Sequence, residues 1–423
     1  MAVFENTIYK QLIQRYPDFQ DLRMYLESEE GGMFRIVDND IANDLCIIRY
    51  EKGVSNMELP HSKWFRSVAW NTRMNLPVSI APPKSASEPF PYFTCAEAVK
   101  HGICCEEQLD GVMINCFRMA GNDKLYISTR SSLYATGHFY SAKSFRDLFL
   151  EAYLLDGSVE KHQKDELEEM IQKTTDMSKP DVLTSQYAIC YSFLLQHKEH
   201  RIVKKNISNA AILLQIGVIY QDGRVVIEDS EWNQRNFGFA IPETDQPIDE
   251  WFLQTFGQQP YDFQGVVFKD RSGNRWRKRT EKYKMVKSLR GNHAGDMERY
   301  AQLFVQNLQY TYLDYYPEDA MSFALQSACM TTIIDYVYRT YLEMHIIKSK
   351  STTEILEQID KMYHPHVYAL HGIYLTQLRP AGKKISMDVV RNYFHKQPWQ
   401  RIAFLLRKTQ NIYLSLVRNA MSE

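Results

Sequence analysis

Long apolar runs are missing from this sequence. No uncharged apolar stretch approaches the ~18 residues that a membrane-crossing helix needs, so a membrane span is excluded. Residues 1–6 do not combine a basic segment with an apolar one, and we therefore expect no signal peptide. Net charge is also small, at −1, so any binding of nucleic acid must depend on a local basic patch.

Cysteine is sparse, and its spacing fits no common metal site. The seven cysteines show no paired spacing, and the adjacent Cys104 and Cys105 are closer together than the residues of a zinc motif. His197 and His200 have no third ligand near them in the sequence. We therefore predict no metal site, and we expect free thiols in a reducing compartment such as the cytoplasm.

Aromatic residues, by contrast, are abundant. The chain has 27 Tyr and 21 Phe, and 44% of its residues are hydrophobic, which indicates a folded protein and not a disordered one. A length of 423 residues predicts two to three domains, each large enough to bury a core.

Strand patterns and helix patterns fall in different parts of the chain. The first 30 or so residues are predicted to be helical. Expected strands cover residues 33–37, 45–50, 63–70, 77–84, 112–117, 124–130, 187–195, 211–220, 224–228 and 264–269, and expected helices cover 96–99, 141–154, 159–174 and 248–256. From about residue 295, a period of 3.6 predicts helices alone. The boundary is predicted within 289–296, which gives an α+β chain with a helical C-terminal domain.

The stretch with the strongest functional signal is residues 106–117, a turn followed by a strand. Gly111 can bring the backbone close to a ligand, because it has no Cβ. The order Gln108-Leu109-Asp110-Gly111 resembles the Lys-x-Asp-Gly motif of ATP-dependent nucleic-acid ligases and capping enzymes. In that family the lysine amine attacks the α-phosphate of ATP. Gln108 stands at the lysine position, and its carboxamide nitrogen is not a nucleophile. An Asp-Gly pair alone is also typical of a simple turn.

Shorter matches on both sides of this stretch resemble the bacteriophage RNA ligase 1 family. Arg66-Ser67-Val68 is similar to the segment whose arginine positions the ATP phosphates in that family, and Lys84 ends a segment similar to its next motif. Thr129-Arg130-Ser131-Ser132 is similar to the strand end that follows the nucleophile motif and keeps a cation.

Three later motifs complete the resemblance. Phe193-Leu194 lies where the family has an aromatic-acidic pair, and Gln264-Gly265 lies where it has Glu-Gly. The lysines of the fifth motif fall within residues 282–287. The overlap spans roughly residues 45–290 and looks closest to the RNA-ligase-like proteins of large cytoplasmic DNA viruses. It implies an antiparallel-sheet nucleotidyltransferase-like domain over 1–290 and an all-helical domain over 291–423.

The departures from the family all remove charge. Gln108 replaces the nucleophile, Leu194 replaces the acid that holds the ribose, and Gln264 replaces the acid of the fourth motif. What remains is a positive site, suited to a phosphate or a nucleic-acid backbone. The residues expected there are Arg66, Lys84, Gln108, Asp110, Gly111, Arg130, Phe193, Gln264, Lys282, Lys284 and Lys287.

A basic segment near the end of this region is a candidate nucleic-acid patch. Its members are Arg275, Arg277, Lys278 and Arg279, with Trp276 and Tyr283 interleaved. The alternative is an ordinary solvated face. The near-neutral charge of the whole chain does not favour contact with nucleic acid, so RNA or DNA is a possible partner and not a required one.

Three functional hypotheses follow. The first is a catalytically inactive RNA-ligase-like protein, without a cofactor, that binds nucleic acid or a nucleotide or serves as a structural viral protein among other viral proteins, in the host cytoplasm or the virion. The second is an active ligase using ATP and magnesium, in which Gln108 is an artificial replacement or another lysine reacts. The third is a protein–protein scaffold whose old site is filled. An open positive cleft beside Gln108 would favour binding, and an apolar plug around Leu194 would favour the scaffold.

Overall fold

The computed structural model describes residues 2–86, 89–154, 178–229, 238–293, 295–348 and 350–422. Two compact units follow one another, Met1–Lys284 and Met285–Glu423. All described strands lie in the first unit and the second is helical, so the predicted α+β class is confirmed. The division into independently folding domains at 290/291 stays a prediction.

The strands form three antiparallel sheets. They are β1 Ala2–Asn6, β2 Arg35–Asp40, β3 Leu45–Arg49, β4 Val68–Asn71, β5 Leu76–Ile80, β6 Cys104–Glu107, β7 Val112–Met119, β8 Asn122–Ser128, β9 Gln186–Gln196, β10 Ala210–Tyr220, β11 Val225–Asp229, β12 Gly238–Phe239, β13 Gly265–Lys269 and β14 Arg275–Arg279. The largest sheet has the order β1-β11-β10-β9-β7-β8. A second sheet has the order β2-β3-β4-β5, and a third has β12-β6-β13-β14. In the third sheet β14 is an edge strand.

The helices are distributed between the two units. They are α1 Ile8–Arg15, α2 Phe19–Glu27, α3 Cys95–Lys100, α4 Phe145–Leu154, α5 Ile248–Phe256, α6 Glu281–Arg290, α7 Asp296–Gln306, α8 Gln309–Tyr315, α9 Ala320–Leu342, α10 Thr352–Gln358, α11 His364–Ile373, α12 Met387–His395 and α13 Trp399–Ser422. None of the helices in the described ranges combines the length and apolar character needed to cross a lipid bilayer.

The prediction of continuous helix over the first 30 residues is wrong. The chain begins with β1, which pairs with β11 from Ala2↔Asp229 to Asn6↔Val225. Two helices follow, and Pro17 separates them, since a proline disfavours helical backbone in the residue before it. The predicted helix at 159–174 lies outside the described residues.

The largest sheet buries both faces. One face packs against α4 through an apolar cluster that includes Ile114, Phe149 and Phe193. Its other face packs against the second sheet and the first two helices, around Trp70 and Phe117. The third sheet has a core of its own with α3 and α5, including Phe252 and Phe268.

Acid should destabilise the helical unit through His366. Its imidazole is 2% exposed, with Nδ1 2.9 Å from the Tyr393 hydroxyl. Burial, followed by the charge of Arg401, lowers the pKa of His366 to about 4. An unfolded chain takes up this proton at a pH of about 6.5, so the associated stability is present above that pH and is lost as the pH falls toward 4, by about 3 kcal/mol.

Urea denaturation at a series of pH values checks this prediction. His366→Gln should flatten the dependence of the unfolding free energy on pH in this range. His364→Gln changes a half-buried histidine two positions earlier and should leave the dependence as it is in the parent. An equal slope in His366→Gln and the parent would assign the effect to other groups.

Candidate functional site

Strand pairing brings Gln108 beside Gln264, two residues that the sequence resemblance predicts to share one site. Gln108 directly follows β6, and its N–H donates to the Gly265 carbonyl at 2.8 Å, which continues the pairing of β6 with β13. Gln264 directly precedes β13, so the two glutamines lie at the same end of neighbouring strands. Gln108 and Gln264 thus meet here because β6 and β13 are antiparallel neighbours.

The two glutamines are in direct contact. The amide of Gln264 is 5% exposed and is assigned the orientation that satisfies its neighbours. Its oxygen then accepts from Gln108 Nε2 at 3.2 Å and from Arg279 Nε and Nη2 at 3.0 and 2.8 Å, and its nitrogen donates to the Leu109 carbonyl at 3.2 Å. This carboxamide pair is neutral where the family has a lysine and an acid. It offers neither an amine nucleophile nor a carboxylate ligand for a hard cation.

Asp110, predicted to contact a nucleotide or phosphate, is used as a structural anchor. One oxygen of its carboxylate accepts from the Tyr283 hydroxyl at 2.9 Å, and the other accepts from the backbone N–H groups of Val203 and Lys204 at 3.0 and 3.1 Å. Its own carbonyl accepts from Gln196 Nε2 at 2.8 Å. The side chain is 7% exposed, so the carboxylate joins three separate segments instead of facing a ligand.

Both glycines of the resembling motifs are required by packing within this chain. A Cβ on Gly111 would lie 2.6 Å from the Leu195 carbonyl oxygen and 2.8 Å from Leu194 Cγ. Gly265 has a φ of +132°, and a Cβ there would lie 2.1 Å from the Lys278 carbonyl oxygen. The expected close approach of the backbone at Gly111 is therefore to β9, and no ligand is needed to explain it.

An apolar cluster surrounds Leu194. Leu194, Ile212 and Leu214 are buried together, and Leu109, Met113 and Ala210 pack against them. Met113, Leu194 and Ile212 are direct cross-strand partners on β7, β9 and β10, so they share one face of the large sheet. We call this set the Leu194 cluster. It occupies the neighbourhood in which the resemblance would place a ribose-binding acid.

Phe193 lies on the opposite face of the same strand. Its ring packs against Phe149 at 5.3 Å and Tyr153 at 5.7 Å, in the core beneath α4. Although it was expected to contact a nucleotide, the structure places its side chain away from Leu194, because neighbouring residues in a strand point to opposite faces.

A group of cations gathers around Tyr50. The guanidinium of Arg130 lies 4.3 Å from the Tyr50 ring centroid, and Lys84 Nζ lies 5.0 Å from it. Arg130 Nη2 also donates to the Tyr50 carbonyl at 2.8 Å. Electrostatic interactions link this group to further arginines. We call the set the Tyr50 cluster, and its members are Arg49, Tyr50, Arg66, Lys84, Arg130, Arg275 and Arg277.

The Tyr50 cluster is strongly electropositive. Burial, followed by the charges of Arg275, Arg130 and Arg277, lowers the pKa of Arg66 to about 10, so this side chain still carries its charge at neutral pH. The carboxylate of Glu51 acts on Arg49 of this cluster and pairs at 3.0 Å with Arg35 outside it. The Nε atoms of Arg49 and Arg130 are buried and have no hydrogen-bond partner among the described residues. Such a half-buried set of like charges is costly unless an anion accompanies it.

The predicted nucleic-acid patch is divided between two faces of β14. Arg275 and Arg277 belong to the Tyr50 cluster, and Arg279 binds the Gln264 amide, so the three arginines share the inner face. Lys278 points to the opposite face, toward α5, which we call the outer face. There it pairs with Asp249 and lies over the Phe252 ring. Tyr283 does not interleave the patch, since its side chain is fully buried against Asp110.

The lysines expected for the fifth motif lie on α6 and not on a strand. Lys282 donates to the Gln258 carbonyl at 3.3 Å, and Lys284 pairs with Glu281 at 2.7 Å. Lys287 lies one turn further along the same helix. The cation that reaches the carboxamide pair is Arg279, at the end of the preceding strand.

The chain resembles an archaeal RNA ligase in structure. Its similarity to "Archaeal ATP-dependent RNA ligase - form 2" has a TM-score of 0.33 and 10% identity, and it covers 75% of each chain. For form 1 of the same protein the TM-score is 0.29 and the identity 10%, over 74% of this chain and 72% of that one. No protein-family model matches the sequence, and no curated protein matches it. The likeness is distant.

Proposed function

We propose that this chain is a non-catalytic RNA-ligase-like protein that binds a polyphosphate group, carried by a nucleotide or a nucleic-acid end, at the Tyr50 cluster. The observation that carries the proposal is the convergence of six cationic side chains around Tyr50, two of which, Lys84 and Arg130, lie over its ring. Guanidinium groups bind phosphate oxygens through charge-assisted, often bidentate hydrogen bonds. Each of the six side chains keeps part of its surface exposed to solvent.

The neighbouring carboxamide pair argues against catalysis. Adenylylation needs an amine at position 108, and Gln108 instead donates its amide hydrogen to Gln264. Gln264 carries no charge and is engaged with Arg279, so it is a poor ligand for magnesium. Residues with these bonds do not fit a metal-assisted transfer of AMP.

The Leu194 cluster limits which part of a nucleotide contributes to binding. Buried leucine and isoleucine side chains cannot accept hydrogen bonds from ribose hydroxyls. The phosphates, by contrast, meet several arginines. We therefore expect affinity to follow the number of linked phosphates, with little contribution from the nucleoside.

Radiolabelled ATP tests the proposal with two readouts on one sample. Retention on a filter should show reversible binding, and a denaturing gel should show no covalent label with magnesium or manganese. Tripolyphosphate should compete about as well as ATP, and adenosine should not compete. Arg130→Gln should weaken binding roughly tenfold or more, since it removes a charged donor from the cluster.

Arg224 supplies the matched control. Its guanidinium also lies over a tyrosine ring, that of Tyr220, at 4.0 Å, but in an exposed position where it pairs with Glu5. Arg224→Gln should bind ATP as the parent does. Covalent label on the parent protein would establish the active-ligase alternative and overturn the proposal.

A protein scaffold is the second candidate, and the Leu194 cluster favours it. The apolar filling around Leu194 is the arrangement expected of a site that has lost its ligand. Absence of retained ATP and of competition by tripolyphosphate, in a protein that is otherwise folded, would support this candidate over phosphate binding.

A further inference from the structure

The outer face of β14 carries a concave surface that differs in character from the Tyr50 cluster. An aromatic pocket of about 340 Å³ is lined by Phe90, Tyr92, Phe93 and Trp276, among other residues. A basic pocket of about 510 Å³ adjoins it, and the two share Asp249, Arg277 and Lys278 in their walls. Both volumes lie near the lower end of the usual range for ligand sites.

Phe93 forms an exposed and rigid part of the aromatic pocket. Its ring is 72% exposed, which is unusual for a phenylalanine. Its backbone is fixed, because the N–H donates to Glu97 Oε2 at 2.8 Å and the carbonyl accepts from the Ile248 N–H at 3.0 Å. The next residue, Thr94, forms a capping box with Glu97 at the start of α3. A ring carried on a fixed backbone can stack on a planar ligand without the cost of ordering a loop.

The basic pocket has an excess of cations. Three lysines line it, namely Lys278, Lys282 and Lys284, against two acidic residues, while Arg277 and Arg279 contribute to its wall from the strand whose arginine side chains lie on the inner face. Both acids are already engaged, Asp249 with Lys278 and Glu281 with Lys284. Within the part of the chain that the structure describes, Lys282 Nζ donates to the carbonyl of Gln258 at 3.3 Å and forms no ion pair, so its charge is available to an anion.

We propose that these adjoining pockets bind a single-stranded nucleic acid, with a base stacked on Phe93 and backbone phosphates beside Lys282. An aromatic platform next to a cationic groove is the combination that such strands require, because every base has a stacking face and every linkage a charge. A duplex hides the faces of its bases and fits Phe93 poorly. This site goes beyond the proposed function, because it is separate from the Tyr50 cluster. Trp276 and Lys278 point to one face of β14, and the arginines of that strand point to the other.

Fluorescence anisotropy with labelled oligo(U), oligo(dT) and a duplex of equal length tests this site in the full chain. Both single strands should bind more tightly than the duplex. Phe93→Ala should weaken their binding roughly tenfold and leave the salt dependence unchanged, because it removes a stacking contact and no charge. Lys282→Gln should reduce the slope of log affinity against log salt by about 0.7, the value for one phosphate contact on a single strand.

Two control variants match these changes. Tyr310→Ala removes another exposed aromatic ring, 71% exposed, in the helical unit. Lys198→Gln removes an exposed lysine at the end of the large sheet. Neither should change the affinity for the strands.

Three results would overturn the proposal. One is a parent protein that binds neither strand, and another is unchanged binding in both Phe93→Ala and Lys282→Gln. The third is weakened binding in Arg130→Gln together with unchanged binding in Phe93→Ala, which would place the strand at the Tyr50 cluster. Failure of the outer site is thereby distinguished from failure of polyphosphate binding, which the ATP assay measures separately.

Discussion

Replacement of Asp110 with alanine should lower the free energy of unfolding by about 3 kcal/mol or more. Three donors lose their acceptor at once, namely the Tyr283 hydroxyl and the N–H groups of Val203 and Lys204. Each buried polar group left unpaired costs about 1–3 kcal/mol, and water can reach this position only in part, since Asp110 is 7% exposed. The destabilisation should occur whether or not a ligand is present.

Urea denaturation, followed by tryptophan fluorescence, measures this loss. The urea concentration at the midpoint should fall, and the slope of the unfolding free energy against urea concentration should stay unchanged. Asp110→Asn keeps an oxygen acceptor for the backbone donors, so it should lose less stability than Asp110→Ala. Asp388→Ala removes an exposed carboxylate that pairs with Arg391 and should change stability by less than about 1 kcal/mol. If Asp110→Ala is as stable as the parent, the anchor role is wrong, and the aspartate would again be a candidate for ligand contact.

The Asp110 anchor illustrates what sequence could and could not predict. The pair Asp110-Gly111 was recognisable as a turn before a strand, and β7 follows it at Val112. Its partners are distant in sequence, and neither a motif nor a period connects position 110 with Val203 or Tyr283. The same holds for Gly111, whose need for a missing Cβ arises from β9.

Fold class followed from local signals. Hairpin turns at 120–123 and 222–223 and the change of period near residue 295 were sufficient to predict strands followed by helices, and the structure confirms both. The first strand was missed because β1 has five residues and precedes two amphipathic helices. A short edge strand gives little sequence pattern of its own. Its partner, β11, is far away in the sequence, since Ala2 pairs with Asp229.

Within the candidate site, the alternation of side chains along a strand is the sequence signal that would have predicted the arrangement of the basic segment. Residues 275–279 alternate between arginine and other residues, so a strand there must separate the three arginines from Trp276 and Lys278. The prediction of a single basic patch does not include this separation of the two faces. Arg49 and Tyr50 were missed for another reason, since one arginine beside one tyrosine resembles no motif, and only packing brings Arg66 and Arg130 to them.

Lys269→Met should destabilise the first unit by about 3–5 kcal/mol. Lys269 Nζ lies 2.6 Å from a carboxylate oxygen of Glu106, and both side chains are almost fully buried, at 2% and 8% exposure. Removing the cation takes the charge of Lys269 away from a buried carboxylate, which is the costly way to break such a pair. The pair joins β13 to β6, the two strands that end at Gln264 and Gln108.

The double variant Glu106→Leu/Lys269→Met decides between a charge effect and a packing effect. If charge dominates, the double variant should recover most of the stability that the single variant loses, because apolar replacements of buried ion pairs are often neutral. A loss equal to the sum of the two single losses would mean that the side chains act independently. Recovery would show that these strands keep one buried ion pair for stability while the positions at their ends, Gln108 and Gln264, have no charge. The absence of charge at the carboxamide pair would then be a local property of the site, and not a general preference of this sheet for neutral contacts.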